Sequence, residues 1–216
     1  MDGWVFGLWI VGICLLWFIV KWLFFDPARS EYQMWVRECL SRQAQKRNGT
    51  VNVTHGWPVL TIPYKTVNIE LSLRENSEES AVECTYARFR TDAFNDKGFK
   101  AILDSKDLFQ KPMIFGTRLA VLDEKFSEKY IVAGNDASFV NSLLTQEIRD
   151  KLLDESLQVA FGRRTDSSTL SRERGWLSVF TKGMTAEDEV LDGLIETAIL
   201  FYQRLEALNK QRRVAG

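Results

Sequence analysis

The feature that most constrains this chain is its opening, WVFGLWIVGICLLWFIVKWLFF from Trp4 to Phe25, which carries no charge before Lys21. A helix of that length, at 1.5 Å per residue, spans roughly 33 Å and would cross the hydrocarbon core of a bilayer. A helix buried in a soluble core would show a polar stripe, and none is present until the far end of the run. A cleaved signal peptide needs a basic start and small residues at the cut, whereas "MDGW" precedes this run and "KWLFFDPARS" closes it. Residues 1–26 therefore read as an uncleaved transmembrane anchor. Trp4 and Trp22 stand near its ends, where indole favours the headgroup level, and Lys21 is placed to extend its ammonium out of the apolar layer. Trp9 and Trp17 fall deeper, as candidate contacts for lipid, a partner helix or a large cofactor. Gly3 and Gly7 form one G-x-x-x-G, a weak helix-packing signal.

Orientation follows the cations. Only Asp2 and the terminal amine precede the run, while Arg29, Arg37, Arg42, Lys46 and Arg47 follow it. The positive-inside rule then places the amino terminus outside and the remaining chain in the cytoplasm, at a cell inner membrane. Cysteine usage agrees, since Cys14 lies in the run and Cys39 and Cys84 are too few for a disulfide framework. The sequons "NGT" at Asn48 and "NVT" at Asn52 point the other way, toward a lumenal domain, but such short patterns recur by chance.

Asp26 and Pro27 break the apolar run, and Ser30 can cap the helix "EYQMWVRECLSRQAQKR". Residues 27–49 thus form a juxtamembrane amphipathic helix. Either its Trp and its cations Arg37, Arg42, Lys46 and Arg47 lie against anionic lipid, or it is a connector packed on the domain. From Thr50 to Val132 the period is two, clearest in "TVNIELSL", where Val67, Ile69, Leu71 and Leu73 alternate with polar residues. Further strands are expected at "TVNVT", "PVLTI", "AVECTYARFR", "FKAIL", "MIFGTRLAVL" and "KYIVA", with a tight turn at "NDKG" and a charged loop at "RENSEES". Asp136 or Ser138 can cap a helix at "SFVNSLL", continued by "TQEIRDKLLDE". Two more strands, "SLQVAFG" and "GWLSVF", are joined by a polar loop with Arg163, Arg164, Arg172 and Arg174, a solvated tip or a basic finger for an acidic partner.

The last helix, "MTAEDEVLDGLIETAILFYQRLEALNK", has Thr185 as its expected cap, acids in its first turn and Lys210, Arg212 and Arg213 at its end, as the helix dipole favours. Leu191, Leu194, Ala198, Phe201, Leu205 and Leu208 form a seam at spacings of three and four. Three heptads barely support a coiled coil, so packing on the sheet is favoured over pairing with another chain. Residues 50–216, about 165 residues, suffice for one α+β domain.

Chemistry is hard to find. His55, in "THGWP", is the only histidine, and Cys39 and Cys84 have no neighbour at ligand spacing, so neither a metal nor a cofactor site is expected. No nucleophile elbow, phosphate loop or dinucleotide fingerprint occurs. Asp92, Asp96, Asp104 and Asp107 are the densest carboxylates, and solvation is their ordinary explanation. With a net charge of −1 and a pI near 6.0, nucleic-acid binding is not expected.

The stretch "FSEKYIVAGNDASFVNSLLTQEIRDKLLDESLQVAFG", followed by "GWLSVFTKGM" and a long amphipathic helix, resembles an uncharacterised family of bacterial membrane-anchored proteins. The likeness covers roughly residues 99–208 and lies mostly in packing and turn positions. It implies a bacterial membrane protein with an α+β cytoplasmic module and transfers no catalytic residue. Members commonly carry a pair of spanning helices, where this chain has one apolar run.

The expected fold is α+β: one N-terminal transmembrane helix, then a mostly antiparallel sheet with flanking helices and a long C-terminal helix. The expected function is that of a non-enzymatic single-pass membrane protein, an accessory or assembly subunit binding membrane lipid and other membrane-protein subunits. Its candidate contacts are Trp9, Trp17, Lys21, Trp22, Arg37, Arg42, Lys46, Arg47, Arg163, Arg164, Arg172 and Arg174. The alternatives are a lipid-sensing domain of pleckstrin-homology-like barrel architecture and a membrane-tethered hydrolase using the Asp cluster.

Overall fold

The computed structural model describes residues 12, 13, 15, 17, 31–54, 57–74, 84–91, 101–105, 117–121, 123–161 and 175–215. Helix α1 covers residues 31–47. Strands β1 (Thr50–Thr54), β2 (Trp57–Tyr64), β3 (Val67–Arg74) and β4 (Cys84–Arg90) follow as a meander. Then come β5 (Ala101–Ser105), β6 (Thr117–Arg118), α2 (Glu124–Lys129), β7 (Tyr130–Gly134), α3 (Ala137–Leu143), α4 (Gln146–Glu155), β8 (Gln158–Phe161), β9 (Trp176–Lys182) and α5 (Asp188–Ala215).

The strands form one sheet in the order β1-β2-β3-β4-β9-β8-β5-β7-β6, with every named pair antiparallel. The alternation in β3 sets its two faces. Leu71 is paired with Ala87 and both are buried, while the neighbouring pair Glu70 and Arg88 points the other way. Among the described residues the sheet is open, with β1 and β6 at its edges, and its strands do not close into the barrel of a pleckstrin-homology-like domain.

Helix α5 lies across β3, β4 and β9. Its seam faces inward: Leu191, Leu194, Ala198, Phe201 and Leu205 are buried and Leu208 is partly buried in the same core. The seam therefore serves the sheet, which removes it as a surface for another chain. Helix α1 flanks α5 on one side through Gln43 and Arg47, and α4 flanks it on the other through Lys151. Val36 and Leu40 of α1 are fully buried with the sheet residues Leu60, Ile62 and Ile69, so α1 belongs to the domain core and does not form a separate juxtamembrane unit.

Local chemistry explains the boundaries. Asn48, at φ +52°, ends α1 in the left-handed conformation, and the Gly49 amide donates to Ala44 O at 3.0 Å. A Cβ on Gly49 would meet Leu60 Cδ1 at 2.6 Å and Thr61 O at 3.0 Å, so the close approach of this turn to β2 requires glycine. Asp136 caps α3 by accepting from the Phe139 amide at 2.7 Å, and Thr145 caps α4 through Ile148 N, dividing the segment into two helices.

Three expectations are corrected. Helix α2 interrupts the region read as strands throughout, capped by Asp123 with Glu124 in its first turn and Lys129 in its last. Of "MIFGTRLAVL", residues 117–118 alone form a described strand, a two-residue edge on β7. Helix α5 starts at Asp188; Thr185 lies just before it, accepting from Glu187 N at 3.3 Å while its own amide donates to Thr85.

The anchor expected over residues 1–26 falls almost wholly outside the described residues; Ile13, Leu15 and Trp17 within it are helical and exposed. Among the described residues, no helix is long and apolar enough to cross a membrane.

Candidate functional site

The two ends of the domain differ in kind. At one end Tyr32 of α1 meets Trp35 (ring centroids 5.6 Å apart) and Trp57 at the start of β2 (6.1 Å), and its hydroxyl donates to Met184 Sδ at 2.5 Å. At the other end α5 holds the β2–β3 turn. Lys65 Nζ donates to Glu206 Oε2 at 3.0 Å, Gln203 donates to the Tyr64 hydroxyl at 2.7 Å, and Thr66 and Tyr202 share a hydrogen bond of 2.9 Å. Lys65 is at φ +50°, so these contacts hold a strained turn. Its ammonium pKa is raised, first by the bond to Glu206.

Between these ends, α1 and α5 are joined by charge. Arg47 donates to Asp192 Oδ1 at 2.7 Å and lies 3.9 Å from Glu196; Lys46 is 3.5 Å from Asp188 and 3.6 Å from Asp192. Gln43, fully buried, donates to Asp188 at 3.0 Å, and that bond is the first cause of the lowered Asp188 pKa. Two of the cations expected at lipid, Lys46 and Arg47, therefore bind α5. Arg37 and Arg42 remain exposed, the latter 3.8 Å from Glu38 and donating to Cys39 Sγ at 3.5 Å.

On the opposite flank of α5, α4 and α5 border an open groove of about 720 Å³, lined by Glu147, Asp150, Lys151, Asp154, Glu196, Ile199 and Leu200. Its walls carry four carboxylates, and Ile199 and Leu200 give it a half-buried apolar side. Among the described lining residues the one cation, Lys151, is held by Glu155 at 2.5 Å and Glu196 at 3.0 Å, and its pKa is raised, chiefly by Glu155. The groove thus presents negative charge beside apolar surface, which suits a basic amphipathic segment.

On the sheet face away from α5, Arg88 is fixed by Glu70 at 2.7 Å and lies over Trp176 (4.3 Å to the ring centroid) and Tyr86 (5.3 Å). Arg88 Nε and Nη2 both reach Glu70 Oε2 on the neighbouring strand, at 2.8 and 2.7 Å, so the cluster reads as cross-strand stabilisation.

Trp9, Lys21, Trp22, Arg163, Arg164, Arg172, Arg174 and His55 lie outside the described residues, as do Asp92, Asp96 and Asp107. Asp104 is on β5. Among the described residues no group of three metal-ligating side chains is gathered, and Cys39 and Cys84 are buried free thiols. In the sequence the groove carboxylates look like ordinary solvated helix faces. Their signal is the stripe Glu147, Asp150 and Asp154, at spacings of three and four, beside the buried Ile148, Leu152 and Leu153.

No family model, no curated protein and no solved structure matches this chain.

Proposed function

We propose that this chain is a non-enzymatic single-pass membrane protein, amino end outside and domain in the cytoplasm, acting as an accessory or assembly subunit of a larger membrane complex. The observation that carries the reading is the integration of α1 into the domain core, with Val36 and Leu40 fully buried and Arg47 bound to Asp192. Only residues 26–30 separate the apolar run from this helix, so the domain is held close to the bilayer and does not swing on a long linker. Such mounting confines it to a thin layer, where modest contacts with membrane partners suffice. The acidic groove between α4 and α5 is the partner face, and a basic amphipathic segment of a neighbouring subunit is its occupant.

Extraction of the full chain in mild detergent, followed by mass determination, tests this. A particle heavier than the 24.9 kDa chain with its detergent is expected. Its extra mass should be lost in a Glu147→Lys/Asp150→Lys/Asp154→Lys variant that keeps its helix content. A monomeric particle without companion chains contradicts the proposal.

A further inference from the structure

We infer that the end of the domain carrying Tyr32, Met34, Trp35, Val53 and Trp57 is seated in the headgroup layer of the bilayer, held there by apolar and aromatic contact and not by attraction to anionic lipid. This rests on the reading of the opening run as a bilayer anchor. Outside that run, the large apolar side chains left exposed among the described residues are Met34 (63%), Trp35 (42%) and Val53 (65%), with Val214 near the other terminus. They come from two elements, Met34 and Trp35 from α1 and Val53 from β1, yet they share one end. Trp35 packs against Tyr32 with the rings tilted by 40°, Tyr32 meets Trp57, and the β1–β2 register pairs Thr54 with Trp57 and Val53 with Pro58. Tyr and Trp side chains with an apolar body and a polar tip favour the membrane–water boundary.

Chain length commits this surface to lipid. Between Phe25 and Glu31 the backbone reaches at most about 20 Å fully extended, so α1 cannot carry its first turns far from the point where the run leaves the hydrocarbon. Charge then decides the kind of contact. The exposed stripe of α1 offers Arg37 and Arg42 against Glu31 and Glu38, a balance of zero, because Lys46 and Arg47 are drawn to Asp188, Asp192 and Glu196. A neutral seat gains little from anionic headgroups. It gains from burying Trp35, Met34 and Val53.

The test is made on the full chain with Cys14→Ser, reconstituted in vesicles of phosphatidylcholine with or without phosphatidylglycerol. Nitroxide labels are placed at Met34→Cys, Val53→Cys and, as a control at the far end of α1, Gln45→Cys; Cys39 and Cys84 are buried. The measurement is relaxation by oxygen, which concentrates in lipid, against a water-soluble nickel chelate. An oxygen-to-nickel ratio severalfold higher at positions 34 and 53 than at 45, equal in the two vesicle types, is expected. Equal ratios at all three positions overturn the seat while leaving the anchor intact. Labels shielded from both reagents reveal a protein contact and also overturn it. A ratio that rises only with phosphatidylglycerol overturns the non-electrostatic claim. A chain that fails to float with the vesicles removes the anchor, and the seat with it.

Discussion

The carboxylate of Glu155 on α4 rests directly against the backbone of Gly193 on α5: a Cβ built on that glycine would overlap it, meeting Cδ at 2.5 Å. Glu155 Oε2 is buried there without a hydrogen-bond partner, while Oε1 is 2.5 Å from Lys151. Replacing a helix-interior glycine by alanine gains about 1 kcal/mol of helix propensity. Displacing a flexible side chain from one partly exposed ion pair costs about 0.5 kcal/mol. Gly193→Ala is therefore expected to leave stability unchanged or slightly raised, and to raise it by about 1 kcal/mol in a Glu155→Ala background. Urea titration of the solubilised chain checks this. A loss in both backgrounds would mean that the α4–α5 spacing itself needs glycine.

The Arg47–Asp192 pair joins α1 to α5 at 2.7 Å, with both side chains less than one-third exposed. A double-mutant cycle on Arg47→Ala and Asp192→Ala should give a coupling of about 1 kcal/mol, more than a fully exposed pair supplies. Each single variant should also speed amide exchange in α1, which hydrogen-exchange mass spectrometry reads. Unchanged exchange would show that Val36 and Leu40 alone hold the helix.

Acid sensitivity follows from Asp123. Its pKa is lowered, first because its carboxylate accepts from the Phe126 amide and then through Arg149, 3.0 Å away. A depressed folded pKa stabilises the fold above the unfolded value near 3.8, and that contribution is lost as pH falls through the folded value. Asp188 and Glu206 are lowered too and act in the same direction. Stability should thus fall below about pH 4. Asp123→Asn, which keeps a capping side chain, should reduce the slope there. Wild type and variant with equal slopes would contradict the assignment.

Ser156 ends α4 at φ +53°, a left-handed position that costs a non-glycine residue about 1 kcal/mol. Ser156→Gly is expected to raise the midpoint of thermal unfolding, by a few degrees for about 1 kcal/mol in a domain of this size. A lowered midpoint would show that the serine side chain contributes more than the strained backbone costs.

What the sequence made legible was local period. The alternation of Val67, Ile69, Leu71 and Leu73 became β3, and the three-and-four spacing from Leu191 to Leu205 became the buried face of α5. Helix α2 escaped because six residues are too few to show a period among strands. The site was less legible because its parts are distant in the chain. Tyr32 and Met184 meet across 152 positions, and nothing local to Lys46 or Arg47 announces Asp188 and Asp192 as their partners. The acids of α4 look like any solvated face until α5 sets Ile199 and Leu200 beside them.

The most direct test of the whole account is an alkaline carbonate wash of membranes from cells making the full chain, followed by intact-mass measurement. The account predicts a protein that stays in the membrane pellet with a mass that includes the stretch from Trp4 to Phe25. Release into the wash, or a mass showing that this stretch has been removed, would contradict it.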